Sequence, residues 1–130
     1  MIIKLCYKEY EARLTLDAMK SFKSATGKDL WCSLLQFTEC WRTSDGDGAL
    51  TRVRKLYEVM DFETASQLFY AMIKPLNKSI PLAEIEDAMF RVGWLPSDRE
   101  DDMSEPWPLV MVKLSYDVDA YFNEGVKEKK

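Results

Sequence analysis

The run KSATGKDLW (residues 23–31) contains Gly27 followed by Lys28, the pair at the heart of a phosphate-binding loop. A loop of the form G-x-x-x-x-G-K-[ST] brings backbone amides against the phosphates and a hydroxyl against magnesium. Here Phe22 stands at the first glycine position and Asp29 at the hydroxyl position, so nucleotide binding is set aside. Asp45-x-Asp47 suggests a calcium loop, which would then need an oxygen ligand at 49, glycine at 50 and glutamate at 56. The chain has Ala49, Leu50 and Leu56, and a plain turn is expected. Glu84, Glu86 and Asp87 form a third group, in which Glu84 and Asp87 are three apart and would share a helix face. Such pairs are routine on helix surfaces. Histidine is absent, which removes the commonest general acid or base and the usual partner of a serine or cysteine nucleophile. Cys6, Cys32 and Cys40 are odd in number and lack C-x-x-C spacing, so buried or half-buried thiols are expected in place of a disulfide framework or zinc site. No catalytic residue, metal or cofactor is assigned, and the chain is not expected to be an enzyme.

The whole chain is 130 residues and 15.1 kDa, of which 47% is hydrophobic, enough for one domain with a real core. Its apolar runs are short and interrupted by charge, and MIIKLCYKEYEAR has no long apolar stretch, so neither a membrane span nor a secretion signal is expected and the protein reads as intracellular. A net charge of −4 argues against a duplex nucleic-acid binder, which would need a basic face. That charge is local. Asp98, Glu100, Asp101, Asp102 and Glu105 oppose a single Arg99, which reads as a solvated linker in preference to an acidic docking site.

These residues must be positioned by the surrounding elements. IIKLCYKEYEARLTL predicts a β-hairpin over residues 2–6 and 11–15, turning at Lys8-Glu9. Thr15 or Leu16 then opens a helix with Ala18, Met19, Phe22 and Ala25 at helical spacing. Gly27 falls where its left-handed cap belongs, Asp29 is placed to cap the next helix, and Lys28 sits in the turn between. A second helix over about 30–41 is apolar on more than one side, with Leu30, Trp31, Leu34, Leu35, Phe37 and Trp41. Leu50, Val53, Leu56, Tyr57 and Met60 predict a third. Asp61 starts a fourth, or a bend in the same helix, that Pro75 stops. Pro81 suits the first turn of a helix with Leu82, Ile85, Met89 and Val92 as its stripe and Gly93 at its end. Ser104 could cap a final helix, with Pro106 and Pro108 confined to its first turn. The fold class expected is mainly α: one domain of five or six helices with a small N-terminal β-hairpin. Its parts are the hairpin at 2–15, a helical core at 16–93, an acidic loop at 94–104, a C-terminal helix at 105–124 and a frayed tail at 125–130. Met19, Met60, Met72 and Met89 fall on apolar faces, where core packing explains them.

The order of hairpin, LTLDAMKSFKSATGKDL, long helix, DFETASQLFYAMIKPLN and IPLAEIEDAMFRVG resembles the tail assembly chaperones of long-tailed bacteriophages and gene-transfer agents, in their short, non-frameshifted form. The residues that carry it are Leu16, Met19, Phe22, Thr26, Gly27 and Leu30, then Leu68, Tyr70, Ala71 and Ile73, then Leu82, Glu84, Ala88, Met89 and Gly93. Lys23 departs from the family's usual acidic residue, and the segment after Gly93 matches no family pattern. The resemblance implies a non-enzymatic assembly factor that holds the tape measure protein and recruits tail tube subunits. It further implies action in the host cell cytoplasm, absence from the mature virion, and a longer product made by programmed frameshifting near Lys129-Lys130.

A holder of amphipathic segments needs adaptable apolar surface, and aromatic rings offer large area with few rotors to freeze. Trp31, Trp41, Trp94 and Trp107 are the candidate partner-binding and self-association residues, each with core packing as its plainer explanation. Trp94 and Trp107 flank the acidic run, which favours partial exposure for both. The alternative class is a small acidic helical adaptor or regulator that acts through protein–protein contacts. An enzyme using Glu84, Glu86 and Asp87 is the remaining, weakest class.

Overall fold

A computed structural model describes residues 1–94 and 105–128, with side chains through Phe122. The described residues form a mostly helical protein with six α-helices and a two-stranded N-terminal hairpin, as the apolar spacing predicts.

The hairpin consists of β1 (Ile2–Leu5) and β2 (Lys8–Glu11), with Ile3 opposite Tyr10 and Leu5 opposite Lys8. Ile3, Leu5 and Tyr10 point into the core, while Ile2, Lys4, Glu9 and Glu11 face outward. This corrects the expected turn at Lys8-Glu9 and second strand at 11–15. The polar pair opens the second strand, with Glu9 on the outer face and Lys8 on the same face as Tyr10, where both bond Glu84, and the turn is Cys6-Tyr7. Both turn residues have positive φ, 49° and 65°, as a two-residue turn matched to the strand twist demands. Residues 12–15 run on as an extended connection, pinned where Arg13 N–H donates to the Met72 carbonyl at 2.9 Å.

Helix α1 (Leu16–Thr26) starts at Thr15, whose hydroxyl accepts from Ala18 N–H, and ends at Gly27 with φ 76°. The Asp29 carboxylate then accepts from Cys32 N–H at 2.8 Å and opens α2 (Leu30–Thr43). The Gly27-Lys28 pair is therefore a helix-to-helix turn, in which Lys28 N–H donates to the Thr26 hydroxyl. Helices α3 (Ala49–Val59) and α4 (Phe62–Ile73) are separate, because Met60 adopts an extended backbone and Asp61 caps α4 by accepting from Thr64 N–H. A 3₁₀ turn at Lys74–Leu76 follows. Helix α5 (Leu82–Val92) has Pro81 at its cap position, and α6 (Trp107–Glu128) reaches four residues beyond its expected end, into the expected frayed tail. Ser104, the expected cap, and the acidic residues from Asp98 to Asp102 lie outside the described residues, as do Lys129 and Lys130.

Helix α4 is the centre. Ala65, Leu68, Phe69, Met72 and Ile73 are buried along it, and it packs against α1 on one side and α5 on the other. Helix α2 packs on α3 and α6, and α6 also covers β1. Burial of Leu- and Phe-sized side chains at about 1.5–3 kcal/mol each is the main force that assembles these layers. Cys6 and Cys40 are half-buried thiols, but Cys32 is exposed, against expectation, because it sits on the outer face of α2.

Candidate functional site

The four tryptophans separate clearly. Trp107, the first residue of α6, is 0% exposed, which corrects the expectation that it is partly open to a partner. Its backbone N–H donates to the Gly93 carbonyl at 2.9 Å, pulling the residue under α5, where its ring packs on Tyr57 and Phe62. As placed, it has no surface to offer another protein. Trp31 is half-buried and meets Phe122 of α6 edge-on, with ring centroids 4.1 Å apart. Trp41 is half-buried beneath the Arg52 guanidinium, 3.2 Å from its ring centroid. Arg52 also donates to the Trp41 carbonyl at 2.7 Å and to the Ser44 hydroxyl, so this ring is held from within the chain.

Trp94 differs. It is 47% exposed, 5.5 Å from the Tyr57 ring, and joins two shallow pockets. One, of about 410 Å³, lies against Leu50, Val53, Arg54 and Tyr57 of α3. The other, of about 340 Å³, is bounded by Phe62, Met89 and Phe90. Phe90 is 79% exposed and Leu50 69%. These four side chains present a continuous apolar face built by α3, α5 and the residue after Gly93, whose φ of 69° turns the chain out of α5. An exposed apolar face of this kind on a single chain is a candidate interaction surface. The sequence placed Leu50 and Tyr57 on the inward stripe of α3 and did not single out Phe90. The available signal was that Phe90 falls off the Leu82, Ile85, Met89, Val92 stripe and onto the side carrying Glu86 and Asp87.

A larger groove of about 600 Å³ runs between α2 and α6, lined by Trp31, Leu34, Leu35, Thr38, Ser115 and Val118. It is a weaker candidate, because Glu39, Arg42 and Asp119 share its lining and its aromatic ring is already engaged by Phe122.

The residues read for chemistry have structural partners. Asp45 approaches Arg52 at 3.6 Å and Asp47 pairs with Lys55, so both aspartates of the expected turn face the cations of α3. Glu84 accepts from Lys8 Nζ at 3.0 Å and from the Tyr10 hydroxyl at 2.9 Å. Those two hydrogen bonds hold its carboxyl below the usual glutamate range. Burial, followed by the bond to Glu84, pushes the Tyr10 hydroxyl up. Asp87 pairs instead with Arg91 at 2.9 Å, so the shared-face carboxylates are divided between the hairpin and their own helix. Among the described residues no group of three or more His, Cys, Asp or Glu side chains is gathered for a metal, and no helix is long and apolar enough to cross a membrane.

Comparison with known proteins returns no match to a family model, to a curated protein or to a solved structure.

Proposed function

We propose that the protein is a non-enzymatic binding factor of the tail assembly chaperone kind, holding apolar helical segments of a tape measure protein and bringing tail tube subunits to it. The observation that carries this reading is the open face of Leu50, Tyr57, Phe90 and Trp94 on an otherwise well-packed helical domain. A chaperone must keep such a face available in the free state and cover it on binding, and rigid aromatic rings do so at small entropic cost. Work in the host cytoplasm and self-association belong to the same proposal. A small adaptor that binds a different protein would use the same face, and the identity of the occupant separates the two.

Co-expression with a candidate tape measure protein tests it. That protein should become soluble and co-purify, and Phe90→Ser should abolish both while the variant itself stays folded. A tape measure protein that remains insoluble, or that co-purifies equally well with Phe90→Ser, would overturn the assignment.

A further inference from the structure

The connection between α2 and α3 carries two Asp-Gly steps, Asp45-Gly46 and Asp47-Gly48. In an Asp-Gly step the following backbone nitrogen reaches the side-chain carboxyl readily, because glycine has no Cβ in the way and a wide choice of φ. Sequence alone does not separate the two steps. Their surroundings do. The Asp45 side chain is 87% exposed, and its ion pair with Arg52 is long, at 3.6 Å. An exposed pair of this kind restrains a side chain little. The Gly46 N–H makes no hydrogen bond among the described residues, and a side-chain carbon added at Gly46 would meet nothing within 4 Å beyond its chain neighbours.

Asp47 is held in place. Its carboxylate pairs with Lys55 and is 31% exposed, and its N–H donates to the Ser44 carbonyl at 3.0 Å. Gly48, which follows it, occupies the cap position of α3, where its carbonyl accepts from Arg52 N–H at 2.9 Å. Closing a ring at this second step would break the Lys55 pair and draw Gly48 away from the helix start.

We infer that Asp45 is a site of spontaneous isomerisation to isoaspartate, an age-dependent covalent modification from which the fold protects Asp47. The Gly46 amide nitrogen bonds to Cγ of the protonated Asp45 carboxyl, and the amide proton leaves with the carboxyl hydroxyl as water. The product is a cyclic imide. Water then adds to the main-chain carbonyl carbon of Asp45, and the bond from that carbon to the Gly46 nitrogen breaks. The chain is left joined through Cγ, with the former main-chain carbonyl as a free carboxylate. The water lost in the first step is regained in the second, and nothing is oxidised or reduced. The backbone of the turn that Asp47 N–H closes on Ser44 becomes one carbon longer.

The test ages the full chain at neutral pH and body temperature for several weeks, beside a synthetic peptide of residues 41–50 as the unstructured reference. The readout is proteolytic mapping for a peptide of unchanged mass and altered retention that an isoaspartyl methyltransferase labels from S-adenosylmethionine. In the folded chain Asp45 should convert at least about tenfold faster than Asp47, whereas the free peptide converts both at similar rates. Gly46→Ala, which the open space at Gly46 accommodates, should slow conversion of Asp45 about tenfold by raising the barrier to ring closure. Gly48→Ala should leave Asp45 unchanged. Asp45→Glu keeps the charge beside Arg52 but needs a larger ring, and it should abolish the reaction at this position. Equal conversion of the two aspartates in the folded chain, faster conversion of Asp47, or an unconverted Asp45 while the peptide converts would overturn the inference.

Discussion

Trp94 and Trp107 touch the same ring, Tyr57, yet one is 47% exposed and the other sealed. Both flank the acidic excursion, so sequence context gives no reason to separate them. The difference comes from one backbone bond. Trp107 N–H donates to the Gly93 carbonyl, which draws the start of α6 beneath α5 and places the indole between Tyr57 and Phe62. Trp94 follows the positive-φ Gly93 and lies on the outside of the same junction. An aromatic residue is thus core or surface according to which neighbouring element closes over it, and only the surface one is free to serve a partner.

The sharpest way to break this contrast is to truncate each ring. Trp107→Ala should cost about 3–5 kcal/mol in chemical denaturation, a large part of the stability of a domain this size. Trp94→Ala should cost no more than about 1 kcal/mol, its tilted contact with Tyr57, while weakening partner binding strongly. Equal destabilisation by the two would mean that Trp94 belongs to the core. Trp41 is an intermediate case, held by a cation instead of a covering helix. Arg52→Leu removes the guanidinium over the ring and its bonds to the Trp41 carbonyl and the Ser44 hydroxyl. A loss of about 1–3 kcal/mol is expected, with increased quenching of tryptophan fluorescence by acrylamide. Unchanged quenching would show that α2 and α3 alone keep that indole covered.

Much of this was legible in the sequence because local chemistry and tertiary packing agree. Gly27 and Asp29 read as caps and are caps, and Thr15 and Asp61, which read as helix starts, cap those helices, since a side-chain oxygen or a missing Cβ decides the matter within a few residues. The hairpin register was not legible, because its turn lacks glycine and asparagine and the polar Lys8-Glu9 mimics a loop. The candidate site was least legible. Trp94 was singled out and is exposed, but Trp107 was grouped with it, and Phe90 was passed over although it falls off the apolar stripe of α5 and onto the side carrying Glu86 and Asp87. Caps are settled by neighbours in sequence, whereas the open face is settled by where two helices fail to cover a third.

Polar handles on buried aromatics sharpen the comparison further. Among the described residues the indole N–H of Trp107 meets no acceptor, whereas the Tyr10 hydroxyl is bonded to Glu84, which also accepts from Lys8. Because the folded-state pKa of Glu84 is depressed, its contribution is present above the ordinary glutamate value and is lost as pH falls through the lower folded value. Asp61, held down mainly by the Thr64 backbone N–H, acts in the same direction. Stability should therefore fall on acidification below about pH 4.5, and Glu84→Gln should flatten that slope. The Glu84 carboxylate is partly exposed, so the change is expected to be about 0.5–1 kcal/mol after solvent screening. An acid slope identical in Glu84→Gln would remove Glu84 from the link between hairpin and α5.

Tyr7 gives the smallest effect and the strictest test of what exposure means. It is an exposed aromatic like Trp94, but it sits at the hairpin tip with φ 65°, beside Cys6 at 49°. Side chains pay a steric penalty there that glycine does not. Tyr7 is outside because a two-residue turn puts it there. Tyr7→Gly should relieve the left-handed strain and stabilise the fold by about 0.5–1 kcal/mol, less whatever the more flexible unfolded chain gives back. Binding of a partner at the Trp94 face should be unchanged. If Tyr7→Gly stabilises the chain but abolishes partner binding, strain at the tip is being maintained for recognition, and the exposed aromatics of the hairpin tip and of the Trp94 face would have to be counted as one interaction system.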